Sequence, residues 1–362
     1  MGTASYVAAT MERAIGRDDQ FTIDFEGVPM SNPVESRGAP QVLRTVGQWQ
    51  VPGLGAGTWA LGGPWEFAGA PAGWGEVDDE VSIAAIRAAY EVGVRLFDSA
   101  DAYGCGHAER VLGKAVAPFR DDVVIATKVG LVFNEDTHSG EGIDVSPAYL
   151  RRACEASLRR LGTDHIDLYL LHPGEVTADQ APAVVEVFDE LAAAGKIRSY
   201  GTANESPDVI EVFAAGTGCV AVQQQLNVFS ANEDALARCE AHDLAVLARS
   251  PLAMGFLSGK YRSRDQLAPG DVRRETPYWD YFTEAGMPRW QQRLAEVREE
   301  LCTGGRTLVQ GALAYIWARS HRAVALGGIR TPAQAREQAG ALAHGPLTSA
   351  QVARIDALAA AA

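Results

Sequence analysis

The sequence predicts an α/β protein built as a single (β/α)8 TIM barrel. Eight short apolar runs alternate with longer segments of helical period, as in a chain of strand–helix units. The apolar residues in these runs are continuous rather than alternating, which is typical of strands covered on both faces. Polar residues end several of the runs, where such a barrel gathers its functional groups. A doubly wound open sheet is the alternative for the same pattern.

The predicted strands are bounded by turn-forming residues or by the ends of helical segments. In chain order they are Gly53–Trp59, Val94–Asp98, Val123–Lys128, Ile166–His172, Ile197–Asn204, Val220–Gln225, Leu244–Ser250 and Ala323–Gly328. Two further runs precede them, QVLRTVG and QWQVPG. The two short runs are separated by a glycine, Gly47, and they predict a β-hairpin that plugs the N-terminal end of the barrel.

The helical segments between the strands carry start and stop signals. The segment Asp79–Gly93 opens with acids that suit a positive helix N-terminus, and it ends on a glycine. Ser146–Gly162 starts with a serine cap and a proline and also stops at a glycine, and Ala181–Lys196 follows a similar scheme. An additional helix, RWQQRLAEVREELC, is predicted inside Pro251–Arg306, the longest interruption of the pattern.

Residues 1–40 have weak periodicity and several turn formers, which indicates an N-terminal extension to a barrel that occupies residues 41–362. Long loops are predicted at the C-terminal face of the barrel. The Gly- and Pro-rich segment GGPWEFAGAPAGWGEVDD, between the first strand and the first helix, has the composition of a lid or substrate loop.

Composition excludes several classes of protein. A net charge of −14 argues against a nucleic-acid-binding protein, which needs a basic surface. The five scattered cysteines form no CxxC pair and suit reduced thiols in the cytoplasm. No apolar run reaches the roughly 20 residues that span a bilayer, and the N-terminus lacks a secretion signal. We therefore expect a cytoplasmic protein with neither nucleic-acid nor membrane partners.

Polar residues at neighbouring strand ends indicate a reaction site. Asp98 and Lys128 end consecutive predicted strands, and each would be costly to bury without the other. Tyr103 can fold back over this pair, and His172 ends the next strand. A neighbouring ammonium should lower the pKa of a phenol from its usual value of about 10. A tyrosine acid with a histidine donor suits reduction of a carbonyl group, with hydride supplied from elsewhere.

The stretch GVRLFDSADAYGCGHAERVLG resembles the signature of the aldo-keto reductases, of the NADP-dependent bacterial type. VVIATK, LYLLH, YGTAN and ALGGIRTPAQAREQ follow in that family's order, so the resemblance covers about Leu43 to Ala343. It implies a catalytic tetrad of Asp98, Tyr103, Lys128 and His172. It also implies NADPH (NADP⁺ when oxidised), bound in an extended form across the mouth of the barrel.

The resemblance further implies cofactor-binding residues along the later strands. Asn204 and Gln223 should hold the nicotinamide carboxamide. SPLAMGFLSGK should cover the pyrophosphate, and Arg330 should face the 2′-phosphate beside the N-terminus of a helix. The full predicted set is Asn204, Gln223, Arg249, Ser250, Pro251, Leu252, Gly255, Lys260, Gly328, Arg330, Gln334 and Gln338.

The sequence departs from the pattern of the family in three respects. Ala203 stands where many members carry a serine that contacts the carboxamide. Arg249 replaces an aromatic residue that often stacks on the nicotinamide, although a guanidinium plane can also stack. Because Gly328 and Arg330 replace a Lys-Ser pattern, the preference for NADPH over NADH rests mainly on Arg330.

Aromatic residues in the loops are candidates for the walls of an apolar substrate pocket. They are Trp59, Trp65, Tyr278 and Trp279. The neighbours of Tyr103, namely Asp101, Cys105, His107 and Glu109, lack the spacing of metal ligands, so no metal site is predicted.

The expected function is NADPH-dependent reduction of an aldehyde or ketone, reversible with alcohol oxidation, in which Tyr103 is the general acid. Three further hypotheses stay open. One is an NADP-sensing regulatory subunit, since the potassium-channel β subunits share this barrel and tetrad. The second is a catalytically idle barrel with a binding or structural role. The third is a sugar or deoxysugar reductase of secondary metabolism, suggested by an Ala- and Gly-rich composition. The identity of the small-molecule carbonyl substrate and the oligomeric state are left open.

Overall fold

The structure is a computed structural model that describes residues 42–275 and 279–360. The predicted N-terminal extension, residues 1–40, lies outside the described residues, and so does Tyr278.

Eight parallel strands close into a barrel, which confirms the predicted fold. Each strand pairs with the next along the chain, and the last strand pairs with the first. The strands are β1 (Leu54–Gly57), β2 (Leu96–Asp98), β3 (Val124–Val129), β4 (Ile166–Leu171), β5 (Ile197–Thr202), β6 (Cys219–Asn227), β7 (Ala245–Arg249) and β8 (Ala323–Gly328). The predicted strand ends therefore meet at one mouth.

Helices cover the outside of the barrel. Those that follow β1 to β6 are α1 (Asp79–Glu91), α2 (His107–Val116), α3 (Pro147–Leu161), α4 (Ala181–Ala193), α5 (Pro207–Ala214) and α6 (Glu233–Ala241). Those that follow β7 and β8 are α7 (Val272–Glu275), α8 (Gly286–Cys302), α9 (Leu308–Arg319), α10 (Pro332–Ala339) and α11 (Ser349–Ala360). The predicted extra helix is α8. Within the described ranges, every helix is too short or too polar to cross a bilayer.

The local signals in the sequence explain the helix ends. The Ser146 side chain accepts a hydrogen bond from Tyr149 N at the start of α3, and Gly162 closes that helix in the left-handed conformation. The Asp78 side chain caps α1 by accepting from the N–H groups of Glu80 and Val81. Caps of this kind fix where each helix starts, and hence how far the preceding loop extends over the mouth.

The N-terminal hairpin closes the bottom of the barrel, as predicted. Its strands, Leu43–Val46 and Trp49–Pro52, pair antiparallel. The side chains of Val46 and Val51 are buried in one apolar cluster with inward-facing barrel residues such as Leu96 and Leu247. Burial of this interior leaves the opposite end of the barrel as its open mouth.

Two loops at the mouth form a small sheet that the sequence did not predict. Glu66–Phe67 and Ala70–Pro71, from the loop after β1, join Leu131–Asn134 and Ser139–Ile143, from the loop after β3. Trp65, Ala102 and Cys105 are buried beneath it. Two separate loops are therefore held together as one cover over the turn that carries Tyr103.

The loop after β7 is fastened to the loop after β1. Trp74 forms an isolated antiparallel bridge with Asp271, and Val272 N donates to Gly73 O at 2.8 Å. The buried guanidinium of Arg273 makes two hydrogen bonds to the Asp271 carboxylate and lies 4.5 Å from the centre of the Trp74 ring. These contacts hold the loop after β7 against the loop after β1.

Gly113 in α2 is predicted to tolerate no side chain, because a Cβ there would lie 2.3 Å from the carbonyl oxygen of Leu161 in α3. Alanine at an open helical position would add about 1 kcal/mol of helix propensity. In Gly113→Ala we instead expect the free energy of unfolding to fall by about 1–3 kcal/mol through overpacking. Urea denaturation measures the change, and exposed Lys114→Ala serves as the control. An unchanged or higher stability in Gly113→Ala would contradict the close approach of α2 and α3.

Candidate active site

The four predicted catalytic side chains come together at the mouth. Lys128, on β3, donates hydrogen bonds from Nζ to Asp98 Oδ1 at 2.8 Å, to Ser99 O at 2.6 Å and to Tyr103 Oη at 3.2 Å. The Tyr103 ring centre lies 5.8 Å from that of His172, nearly perpendicular to it. Lys128 donates a hydrogen bond to the Tyr103 oxygen. The hydroxyl proton of Tyr103 can therefore be donated only to a different acceptor.

Backbone contacts fix the turn that carries Tyr103. Ser99 N donates to Ala126 O at 2.8 Å, and Asp101 N approaches Lys128 O at 3.4 Å, so the turn is docked along β3. Gly104 has a φ of +59°, and a Cβ there would lie 1.7 Å from Gly62 O. Only glycine fits this contact, which holds the turn against the loop after β1.

Burial dominates the electrostatics of Tyr103 and Lys128. Burial raises the pKa of Tyr103, and the ammonium of Lys128 offsets only part of this effect. The expectation that the pKa of Tyr103 lies below its usual value is therefore wrong. Burial alone would lower the pKa of Lys128, but the Asp98 carboxylate reverses that and brings the pKa above its ordinary value. Lys128 is thus charged and Tyr103 is protonated at neutral pH.

His172 is a neutral group at this site. Burial lowers its pKa well below the ordinary value, and the positive charges of Lys128 and Arg249 lower it further. Its Nδ1 is buried without a hydrogen-bond partner. A neutral imidazole can still donate one N–H, so His172 can polarise a carbonyl oxygen without adding a charge.

The outer face of β3 carries a second polar cluster. Glu109, in the first turn of α2, is fully buried there. It accepts from Thr127 Oγ1 at 2.6 Å and from Arg160 Nε at 2.6 Å. Asp101 is 1% exposed, and neither carboxylate oxygen accepts a hydrogen bond of good geometry. Burial and the charge of Glu109 raise the pKa of Asp101 well above its usual value.

Tryptophans line the approach to Tyr103. The Trp59 ring is stacked on Tyr103 with centres 5.8 Å apart, and Trp74 and Trp279 meet Trp59 edge-on at 5.5 and 6.3 Å. Trp59 Nε1 donates to Ala72 O at 2.9 Å, which fixes the indole. Trp65 does not belong to this group of rings around Tyr103. It lies in the buried cluster beneath the loop sheet. Trp74 was not predicted as a pocket wall.

The predicted cofactor-binding residues lie on the other half of the mouth. They lie near the ends of β5, β6, β7 and β8 or just after them, whereas the four predicted catalytic side chains come from β2, β3 and β4 or from the residues just after these strands. Gln223 joins the two halves, since its Nε2 donates to Asp98 Oδ1 at 2.7 Å. The Asn204 amide instead donates to the carbonyl oxygens of Pro173, Gly174 and Val176, which pins the loop after β4. Contact of these amides with a carboxamide stays a prediction.

The loop after β7 and the end of β8 supply the remaining candidates. Ser250 has a φ of +52°, and Pro251, Leu252 and Gly255 follow it in a tight turn. Lys260 is exposed, with Nζ 4.9 Å from the centre of the Tyr261 ring.

Arg330 donates to the carbonyl oxygens of Trp74 and Glu76 at 3.1 and 2.6 Å. Gln334 Oε1 accepts from Arg330 N, and Gln338 Nε2 donates to Gly328 O. The bonds of Arg330 to carbonyl oxygens use two of the five N–H donors of the guanidinium, and the others can donate to a phosphate.

Comparison with known proteins adds independent evidence. The sequence profile of the Aldo/keto reductase family matches residues 53–360, most of the chain. The chain belongs to the aldo/keto reductase family. The NADH-specific methylglyoxal reductase of Escherichia coli (strain K12) is 32% identical over 302 residues, 80% of this chain and 89% of that protein.

Two solved structures show the same architecture. The glycerol dehydrogenase AKR11B4 from Gluconobacter oxydans matches with a TM-score of 0.75 and 27% identity, over 88% of this chain and 95% of that one. An aldo-keto reductase from Klebsiella pneumoniae in complex with NADPH matches with a TM-score of 0.64 and 28% identity, over 88% and 94% of the two chains.

The donor set of this aldo/keto reductase fits a phosphorylated nicotinamide cofactor. Lys260 and Arg330 are cationic, and the N-terminus of α10 lies beside Arg330. Above Gly328 a Cβ would meet nothing within 4 Å, so a ligand can approach the backbone there. Among the described residues, no cluster of three or more His, Cys, Asp or Glu side chains could hold a metal ion.

Asp101→Asn is predicted to stabilise this reductase in a pH-dependent way. An acid whose pKa is raised on folding binds its proton more tightly in the folded state, so stability is lost as pH rises above about 4, the pKa of the unfolded chain. The amide of the variant removes that penalty. We expect the variant to gain more stability over the parent at pH 8 than at pH 5, measured by urea unfolding. A gain that is equal at both pH values would show that Asp101 is ionised in the folded protein.

Proposed function

We propose that this chain is an NADPH-dependent carbonyl reductase in which Tyr103 protonates the carbonyl oxygen. The observation that carries the proposal is the contact of Lys128 Nζ with both Asp98 Oδ1 and Tyr103 Oη. This arrangement holds a cation beside the oxygen that becomes a phenolate when Tyr103 gives up its proton. The reaction class is supported by membership of the family.

Each residue of the proposed tetrad has a different role in the reduction of the carbonyl group. NADPH, when bound, supplies the hydride and its two electrons to the carbonyl carbon. Tyr103 Oη gives its proton to the carbonyl oxygen, and neutral His172 donates a hydrogen bond to the same oxygen. Lys128 stabilises the phenolate, and Asp98 keeps Lys128 charged and aimed. Trp59, stacked on Tyr103, excludes water from one side.

The choice of NADPH over NADH rests on cationic groups that can meet a 2′-phosphate. Arg330 and the adjoining N-terminus of α10 are the candidates on this chain. The Klebsiella pneumoniae neighbour is in complex with NADPH, whereas the Escherichia coli relative is NADH-specific by name. The free thiols of the five cysteines are in keeping with a cytoplasmic location.

Tyr103→Phe tests the proposal. Loss of the proton donor should lower carbonyl reduction by about 100-fold or more, because general acids contribute at least that much. The dissociation constant for NADPH should stay close to that of the parent. A panel of aldehydes and ketones, followed by NADPH absorbance, gives the rates, and tryptophan fluorescence gives the binding.

Tyr90→Phe is the matched control, since Tyr90 lies on α1 and its hydroxyl bonds to Asp122 on the outer surface. Full carbonyl reductase activity in Tyr103→Phe would contradict the proposal. NADPH binding by the parent without turnover of any carbonyl compound would instead favour the regulatory hypothesis.

A further inference from the structure

We propose that the ion pair between Glu205 and Arg249 sets the preference of the site for reduced over oxidised cofactor. The proposal rests on the proposed function, because it concerns the nicotinamide cofactor of that reaction. In this role the pair determines specificity for the oxidation state of the cofactor, and hence the direction in which the enzyme works best.

The pair is built into the ends of three neighbouring strands. Arg249 ends β7, and its Nη2 lies 2.6 Å from Oε1 of Glu205, which follows β5. Arg249 Nη1 also donates to Gln225 Oε1 on β6 at 3.2 Å. Glu205 Oε1 accepts from Gln225 N at 2.8 Å. Contacts with Gln225 therefore hold both the carboxylate and the guanidinium in place, and both side chains border an open polar cavity.

The positive charge of Arg249 lies close enough to act on the reacting groups. Burial and Lys128 are the larger influences on the pKa of His172, and Arg249 lowers that pKa further. Arg249 also works against the burial that raises the pKa of Tyr103. A ring that delivers hydride to a carbonyl bound by Tyr103 and His172 must lie beside that carbonyl. It therefore lies within reach of the same charge.

Hydride transfer changes the charge of the nicotinamide ring. The reduced ring is neutral, and loss of a hydride, one proton with two electrons, leaves it with a single positive charge. The carbonyl carbon gains the hydride, and the carbonyl oxygen gains the proton of Tyr103. A guanidinium nearby disfavours the cationic ring and so favours the reduced cofactor.

Glu205 offsets this effect. Its carboxylate is 20% exposed and the Arg249 side chain is 39% exposed, so neither charge is fully screened by water. Removal of Glu205 leaves the positive charge of Arg249 unbalanced, and removal of Arg249 leaves the negative charge of Glu205 unbalanced. The two changes should therefore shift the preference for reduced over oxidised cofactor in opposite directions. The Asp98–Lys128 pair cannot be adjusted in this way, because it also supports the proton donor.

The test compares the affinities for NADPH and NADP⁺ in Glu205→Gln, Arg249→Met and the double variant. Quenching of tryptophan fluorescence at low ionic strength gives the dissociation constants. Both ligands carry the same phosphates, so the ratio of Kd for NADP⁺ to Kd for NADPH isolates the charge of the ring. We expect the ratio to rise about three- to tenfold in Glu205→Gln and to fall by a similar factor in Arg249→Met. A change of this size is what one unbalanced charge should cause when it acts on a charged ring through a site that is partly exposed to water.

Three comparisons separate the proposal from a structural role. The double variant should return towards the ratio of the parent, and Arg249→Lys should keep it because the charge is retained. Glu190→Gln, which breaks the exposed Arg151–Glu190 pair outside the barrel, should leave the ratio unchanged. If both dissociation constants change by the same factor in every variant, the pair only braces the strands and the proposal is overturned. If the parent binds neither nucleotide, the proposed function itself fails.

Discussion

The buried ion pair between Asp98 and Lys128 is the interaction on which the rest of the site depends. Lys128 is wholly buried, and an ammonium in that position is tolerated only because a carboxylate lies 2.8 Å away. Gln223 donates to the same carboxylate from the far side of the barrel, so the pair also links the two halves of the mouth. Burial has the larger effect on the pKa values of Tyr103 and His172, and the ammonium of Lys128 lowers both. The backbone carbonyl of Lys128 also holds the turn that carries Tyr103.

The strand that carries Lys128 serves two polar systems at once, because successive side chains on a strand point to opposite faces. Lys128 faces the mouth, whereas its neighbour Thr127 faces outward and bonds to Glu109, which in turn pairs with Arg160 of α3. The outer system ties β3 to the two helices that flank it. Asp101 lies at the border of both systems, where Arg160 and Lys128 offset only part of the effect of burial, so the pKa of its carboxyl stays well above the ordinary value.

The barrel and the convergence of Asp98, Tyr103, Lys128 and His172 at its mouth could be predicted from the sequence, because both depend on local patterns. Continuous apolar runs mark strands that are covered on both faces, and polar residues at their ends must meet at the mouth. The pKa of Tyr103 could not be predicted, since it depends on how far the surrounding loops exclude water. The partner of Arg249 and the carbonyl partners of Asn204 were equally out of reach, because each involves residues brought together only by closure of the barrel. The loop sheet had a weak local signal, the polar turn between LVFN and SGEGI, but its pairing with the loop after β1 had none.

The small sheet over the mouth has a consequence for changing what this reductase accepts. Its strands come from two loops that are far apart in the chain, and each loop completes the hydrogen bonds of the other. A graft that replaced only one of them would leave unpaired strand edges beside Tyr103 and uncover Trp65. The two loops therefore act as one structural unit. Loop exchange between relatives should replace both loops together.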